Sequence, residues 1–196
     1  MSNYALTNSL INLAKKYLIK ERVSDGNKKL DTIITILFFL GMFLLVCQIG
    51  YLRVTIINSE VPLLILFVPG LILTPFLYNT MNNIDGLKAH WILHYVAHTF
   101  MTGGILLFLF MATNYYFAEN TIQEKRIEVL RTESSSGPKY HREQRIPNVI
   151  INYEGIEENL SFSNPEMEKV MKAKFVRLFV KKGFFGFDII EKYEVE

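Results

Sequence analysis

The sequence predicts an α-helical membrane domain of three transmembrane helices, the second kinked by proline, followed by a small strand-rich α+β domain. Three observations carry that expectation. Apolar residues, half of the 196, concentrate between Thr32 and Ala118, while charges concentrate in the first thirty residues and the last eighty. A soluble globular chain interleaves the two classes, so blocks of this size suit a bilayer. Beyond Glu119 the chain turns to β-branched and aromatic runs broken by turn residues. The expected organisation is an amphipathic basic helix and turn over 1–30, a transmembrane region over 31–118, and a water-facing tail over 119–196.

Residues 4–23 show helical periodicity, with Leu10, Leu13, Ala14, Tyr17 and Leu18 on one stripe and Lys15, Lys16 and Lys20 off it. A basic amphipathic helix just before a span suits a membrane surface, where its lysines meet anionic lipid. Packing on the rest of the protein is the plain alternative. No small-x-small cleavage site follows, so the segment does not read as a signal peptide. Ser24-Asp25-Gly26-Asn27 reads as a turn.

The first span is expected over 32–52, which carries no charge. At ~1.5 Å per residue it reaches about 30 Å, the thickness of the hydrocarbon core. Gln48 is its one strongly polar side chain; interfacial water or a helix–helix hydrogen bond accounts for it. The second span is expected over 61–79. Pro69 and Pro75 inside it each remove a backbone hydrogen bond, which a membrane helix tolerates as a kink when neighbours re-satisfy the carbonyl. The rival is a re-entrant hairpin, which would reverse the side of the tail. After a short polar link at 80–88, the third span is expected over 91–117. Gly103-Gly104 in its middle would admit a second helix closely. Trp91 and Tyr95 near its start and Tyr115 and Tyr116 near its end suit the two interfaces.

Seven Lys or Arg flank the spans on the N-terminal side against four on the other. The cytoplasmic bias of basic residues then puts the N-terminus in the cytoplasm and the tail outside. Residues 119–196 carry thirteen Lys or Arg and fourteen Asp or Glu, and so lack the one-signed basic face of a nucleic-acid domain. In the tail, 125–132, 147–154, 158–162, 175–181 and 187–195 read as strands. Gly155 joins two of them as a hairpin. Ser134–Pro138 reads as a loop, and Asn164-Pro165-Glu166 opens a short helix with Asn164 as N-cap. The layout of a few spans and a small tail resembles that of many bacterial membrane proteins, and no motif names a family.

His90, His94 and His98 fall on one helical face, four residues apart. His94 and His98 have the i, i+4 spacing of a zinc pair, with His90 or Asp85 as a further ligand. His90 and His98 are ~12 Å apart along the axis and cannot share one ion. Haem held between helices would need a second axial ligand, and the remaining histidine, His141, belongs to the tail. The plain reading makes these interfacial or helix-packing histidines, with proton sensing as a further alternative. The single cysteine, Cys47, lies in an apolar run and reads as packing. No triad or phosphate-cradling pattern is present, so no catalytic residue is assigned. Phe184, Phe185 and Phe187 read as exposed aromatics between two strands and a possible docking surface. The expected partners are the bilayer and other membrane or envelope proteins, or a second copy. The leading expectation is a non-enzymatic interaction subunit without cofactor. The alternative is a metal- or haem-dependent membrane subunit.

Overall fold

The computed structural model describes residues 28–82, 89–136 and 145–196. The expected amphipathic helix, with Lys15, Lys16 and Lys20, lies outside these residues, as do Asp85 and His141. Among the described residues, three helices are long and apolar enough to cross a membrane: α1 (Lys28–Val54), α2 (Glu60–Asn82) and α3 (Trp91–Tyr116). Each extends slightly or shifts by a residue or more from the stretch expected for it, since polar termini such as Lys28, Glu60 and Asn82 still continue the backbone hydrogen bonding. The tail holds a five-stranded antiparallel sheet in the order β3-β2-β1-β4-β5. Its strands are β1 (Ile122–Ser136), β2 (Arg145–Tyr153), β3 (Ile156–Ser161), β4 (Phe175–Lys182) and β5 (Asp188–Val195). The chain packs as two compact units: Met1–Leu45 with Ile65–Leu106, and Val46–Leu64 with Leu107–Glu196.

In the first, helical unit, large apolar side chains remain exposed around the helices, among them Phe39, Phe43, Leu71 and Phe76. Packing depends on backbones approaching closely. A Cβ on Gly104 would stand 2.6 Å from the Gly41 carbonyl oxygen, and one on Gly103 would stand 2.0 Å from that of Leu66. Only glycine fits such contacts, so α1 and α2 both close on the Gly103-Gly104 pair. The helix α2 runs through Pro69 and Pro75 without ending. Just before Pro75, the Thr74 hydroxyl donates to the Gly70 carbonyl at 2.6 Å, so the buried hydroxyl has its partner one turn back.

In the second unit, β1 is the shared strand. Residues 122–128 pair with β4 and, after an irregularity between Val129 and Arg131, residues 129–136 pair with β2. The bulge lets one long strand serve two partners and curls the sheet. Ser134–Ser136 therefore belong to a strand, not the expected loop. Their backbones are held by Pro147, Ile146 and Arg145 across the ladder, and long-range pairing overrides the turn preference of serine. At the β2–β3 hairpin, Glu154 and Gly155 both have positive φ, 52° and 93°, the turn whose twist matches the strands.

Val149, Ile151, Leu160, Val170, Val176, Leu178 and Val195 form the core on one face. The short helix α4 (Met167–Met171) supplies Val170. Its lead-in turn is capped one residue before the expected Asn164: the Ser163 N–H and hydroxyl both donate to the Glu166 carboxylate, at 3.2 and 2.6 Å. Asn164 and Pro165 then occupy the first turn, because serine followed three residues later by glutamate closes a capping box. The opposite face carries ion pairs, including Arg126–Glu196 at 2.7 Å, Arg177–Glu196 at 2.7 Å and Lys192–Glu194 at 2.5 Å. After α1, Thr55 bridges to Ile189, and the Ile56 N–H donates to the Asp188 carbonyl at 2.8 Å. The edge of β5 is thus partly covered, and Ile56 enters the core.

Candidate functional site at the paired histidines

The buried residues of α3 line one face: His94, His98, Thr99, Gly103, Gly104, Leu107, Met111 and Asn114. With Thr99 and Gly104 set aside as neighbours of His98 and Gly103, the steps are three or four residues, as an α-helix requires, except for five between His98 and Gly103. That long step falls on a π-helical segment, Thr99–Gly103, where the Gly104 N–H reaches the Thr99 carbonyl five residues back. The wider turn absorbs the extra residue and keeps the stripe on one side. Such insertions occur frequently at functional sites.

Just before this segment stand the two histidines. His94 is 3% exposed and His98 0%. Among the described residues, neither ring nitrogen of His98 has a hydrogen-bond partner, nor does Nε2 of His94 or the hydroxyl of Thr99. A neutral imidazole has one donor and one acceptor, so His98 leaves both unmet. Each unmet buried group costs about 1–3 kcal/mol. The Tyr78 ring meets His94 edge-on, with centroids 5.3 Å apart. Both imidazoles line a groove of about 360 Å³ with Phe38, Phe39, Met81 and Leu93. An apolar groove ending in unpaired imidazoles can accept a polar atom on a largely apolar ligand, or a metal ion that completes its shell elsewhere.

His90 does not join the pair. It is the N-cap of α3, where its Nδ1 accepts from the Ile92 N–H at 3.4 Å. Among the described residues, no group of three or more His, Cys, Asp or Glu could hold a metal. From sequence, His90, His94 and His98 are interfacial or helix-packing histidines. The structure packs both His94 and His98 between helices of their unit, because the stripe facing inward is the one carrying 94 and 98.

The aromatic loop lies in the second unit. Phe184 is 61% exposed and Phe185 46%, while Phe187 is half-buried. All three lie against the end of α3: Phe185 stacks on Phe110 at 4.6 Å, Phe187 meets Phe110 edge-on at 5.8 Å, and Phe184 meets Phe117 at 6.1 Å. Sequence reasoning missed the residue that holds this loop, Asn114. It is fully buried. Its Nδ2 donates to the Phe187 carbonyl at 3.1 Å, its Oδ1 accepts from the Phe185 N–H at 3.0 Å, and its backbone carbonyl accepts from the Phe184 N–H at 3.2 Å. The available signal was a lone amide inside the apolar run 104–118.

A third polar cluster joins the start of β5 to β1 and β2. Lys125 Nζ contacts the Tyr153 hydroxyl, Glu154 at 3.0 Å and Asp188 at 3.3 Å, and the Tyr153 hydroxyl also donates to Asp188. Burial disfavours the Lys125 ammonium, but the bonds to Tyr153, Glu154 and Asp188 outweigh it and raise its pKa. Burial and the Asp188 bond push Tyr153 up to about 12. The lysine stays charged and the phenol stays protonated, so the cluster is a fixed polar bolt and not a proton donor at neutral pH. No family model matches the chain, and no curated protein or solved structure does either.

Proposed function

We propose that this chain is a multi-pass integral membrane protein whose three long helices anchor it and whose sheet engages other components of an envelope complex. The reading is non-enzymatic. It places the N-terminus in the cytoplasm and the sheet outside. The observation that carries it is a contrast of surfaces. The helices expose Phe39, Phe43, Leu71 and Phe76, which suits lipid, and the sheet presents a face of ion pairs, which suits water. Only five residues, 117–121, part the last helix from the sheet's first strand. So short a link presents the sheet close to the bilayer surface rather than on a tether.

Cross-linking and co-purification from native membranes test the partner. Lys174 and Lys192 should cross-link to another protein or to a second copy. A lone monomer, stable in detergent and without cross-links, overturns the reading. Topology is tested separately with Glu133→Cys in a Cys47→Ser background. A membrane-impermeant maleimide should label it from outside the cytoplasmic membrane.

A second reading has its own observation, the unpartnered imidazoles of His94 and His98 beside an apolar groove. Here the helices bind a metal ion, a haem, or another ligand that pairs with imidazole. Metal analysis and an absorption spectrum of protein taken from native membranes decide the first two. A preparation with neither metal nor a Soret band ends them.

A further inference from the structure

We infer that the β4–β5 loop, residues 183–187, is immersed in the bilayer, with Phe184 and Phe185 among lipid acyl chains beside the end of α3. The inference rests on the membrane reading proposed above and adds a contact that the hydropathy of the helices does not imply. Two independent observations carry it.

The first is depth. Phe185 stacks face to face on Phe110, with centroids 4.6 Å apart and planes 9° apart. Phe110 lies six residues before Tyr116, ~9 Å along the helix axis, inside the run Gly104–Thr113 that carries no charge. A ring stacked there shares its depth. Even so seated, Phe184 remains 61% exposed and Phe185 46%, beside Tyr116 and Phe117 at 69% each. These exposed rings continue the apolar surface of α3, the surface that lipid covers if the helix crosses the bilayer.

The second is hydrogen bonding. A loop in water can leave its N–H groups to solvent, whereas one in hydrocarbon must satisfy them internally, at several kcal/mol per omission. Here Gly183 N–H donates to the Phe187 carbonyl, Phe184 N–H to the Asn114 carbonyl, Phe185 N–H to Asn114 Oδ1, and Gly186 N–H to the Gly183 carbonyl. Four successive amides are closed. Asn114 supplies two of the acceptors and spends its own amide hydrogens on Phe187. Gly183 is required for this fit, because a Cβ there would stand 2.3 Å from Asn114 Nδ2. Asn114 is thus the group that makes irregular backbone tolerable at this depth.

Trp91 is the single tryptophan, so a Trp91→Phe background allows one reporter at a time. Phe184→Trp is the probe, and Phe185→Trp repeats it if the first misfolds. Leu109→Trp on α3 and Leu130→Trp on β1 serve as controls, both replacing exposed leucines. The full chain is placed in phosphatidylcholine vesicles brominated high on the acyl chain. Tryptophan at 184 should emit at shorter wavelength than at 130. It should lose intensity to bromine as the 109 control does, and resist aqueous iodide. Quenching by iodide and not by bromine, with the 109 control still quenched by bromine, overturns the inference and leaves the membrane reading intact. Protection from both quenchers also overturns it, since a protein surface would then cover the loop. If the 109 control escapes bromine too, the membrane reading itself has failed.

Discussion

The two units treat buried polar atoms in opposite ways. In the helical unit, His94, His98 and Thr99 carry buried atoms without partners among the described residues. In the sheet unit, Asn114 uses both ends of its amide, Asn148 donates to Ser135 and accepts from Ser161, and Lys125, Tyr153 and Asp188 satisfy one another. Gln48 Oε1, at the helical edge of that unit, is an exception, and Arg177 Nε lies 2.7 Å from Glu196 as an ion pair. Since an unmet buried group costs about 1–3 kcal/mol, most of that cost among the described residues falls on the helical unit, at His94, His98 and Thr99.

The largest expected effect falls on close helix packing. Gly103→Leu drives a side chain into the Leu66 carbonyl, already 2.0 Å from where its Cβ would stand. Backbone cannot yield there as a flexible side chain can. The variant should fail to accumulate as folded protein in detergent, read by size-exclusion profile and thermal melt. A wild-type melting curve would mean that α2 and α3 do not approach as described. Next comes Asn114→Ala, which strips the Phe185 N–H of its partner and leaves the Phe187 carbonyl with the Gly183 N–H alone. A loss of about 1–3 kcal/mol is expected for the one stranded N–H. Hydrogen exchange at Phe185 should accelerate far more than at core amides such as Leu178. Equal acceleration at both would show global unfolding and not an unseated loop.

Both residues show what the sequence does and does not disclose. Long apolar runs and alternating strands follow from local periodicity, so three helices and five strands are legible without coordinates. The glycine pair is legible too, as a place for close approach. Asn114 is not, because its partners lie about seventy residues away, in a loop whose own signal is only aromatic. The buried stripe of α3 is legible only in part, for a different reason. A five-residue step at the π segment breaks the regular count, so the face that turns inward beyond His98 cannot be read by adding 100° per residue. Ser134–Ser136 were misread because strand pairing with β2, and not serine's turn preference, decides their conformation.

His98→Leu sharpens the comparison most directly. Replacing an unpaired buried polar group with an apolar one of similar size is near neutral or stabilising, by up to about 1–2 kcal/mol. Purified protein should therefore melt at the same temperature or slightly higher. A marked loss of stability in native membranes that vanishes on purification would show that the imidazole holds something there. By contrast, Lys125→Met in the sheet unit should cost about 1–2 kcal/mol, the low side of a charged hydrogen bond because the lysine is partly exposed. It should also raise the phenol pKa of Tyr153, which the ammonium holds down, while that group stays protonated at neutral pH in either protein.

The smallest effect is the response of the sheet to acid. The Ser163 hydroxyl and N–H hold Glu166 below the usual carboxylate range, Lys192 does the same for Glu194, and Arg126 for Glu196. A carboxylate whose folded pKa is depressed adds stability above its unfolded value and loses it as pH falls through the folded one. All three therefore favour the fold at neutral pH and cease to do so below the ordinary value of 4.5. Glu158 works in the other direction. Burial raises it, so its charged form opposes folding at neutral pH, and protonation relieves that cost. Because Glu194 and Glu196 lie in exposed ion pairs that salt screens, and Glu166 in an exposed capping box, the net loss should be slight and its ion-pair share should shrink in high salt. Hydrogen exchange of the β4 and β5 amides, followed from pH 6 to pH 3 at low and high ionic strength after correction for intrinsic exchange, measures it. Protection that rises steadily on acidification at low salt would mean that Glu158 outweighs the other three, and that the surface ladder contributes nothing to holding β5 in place.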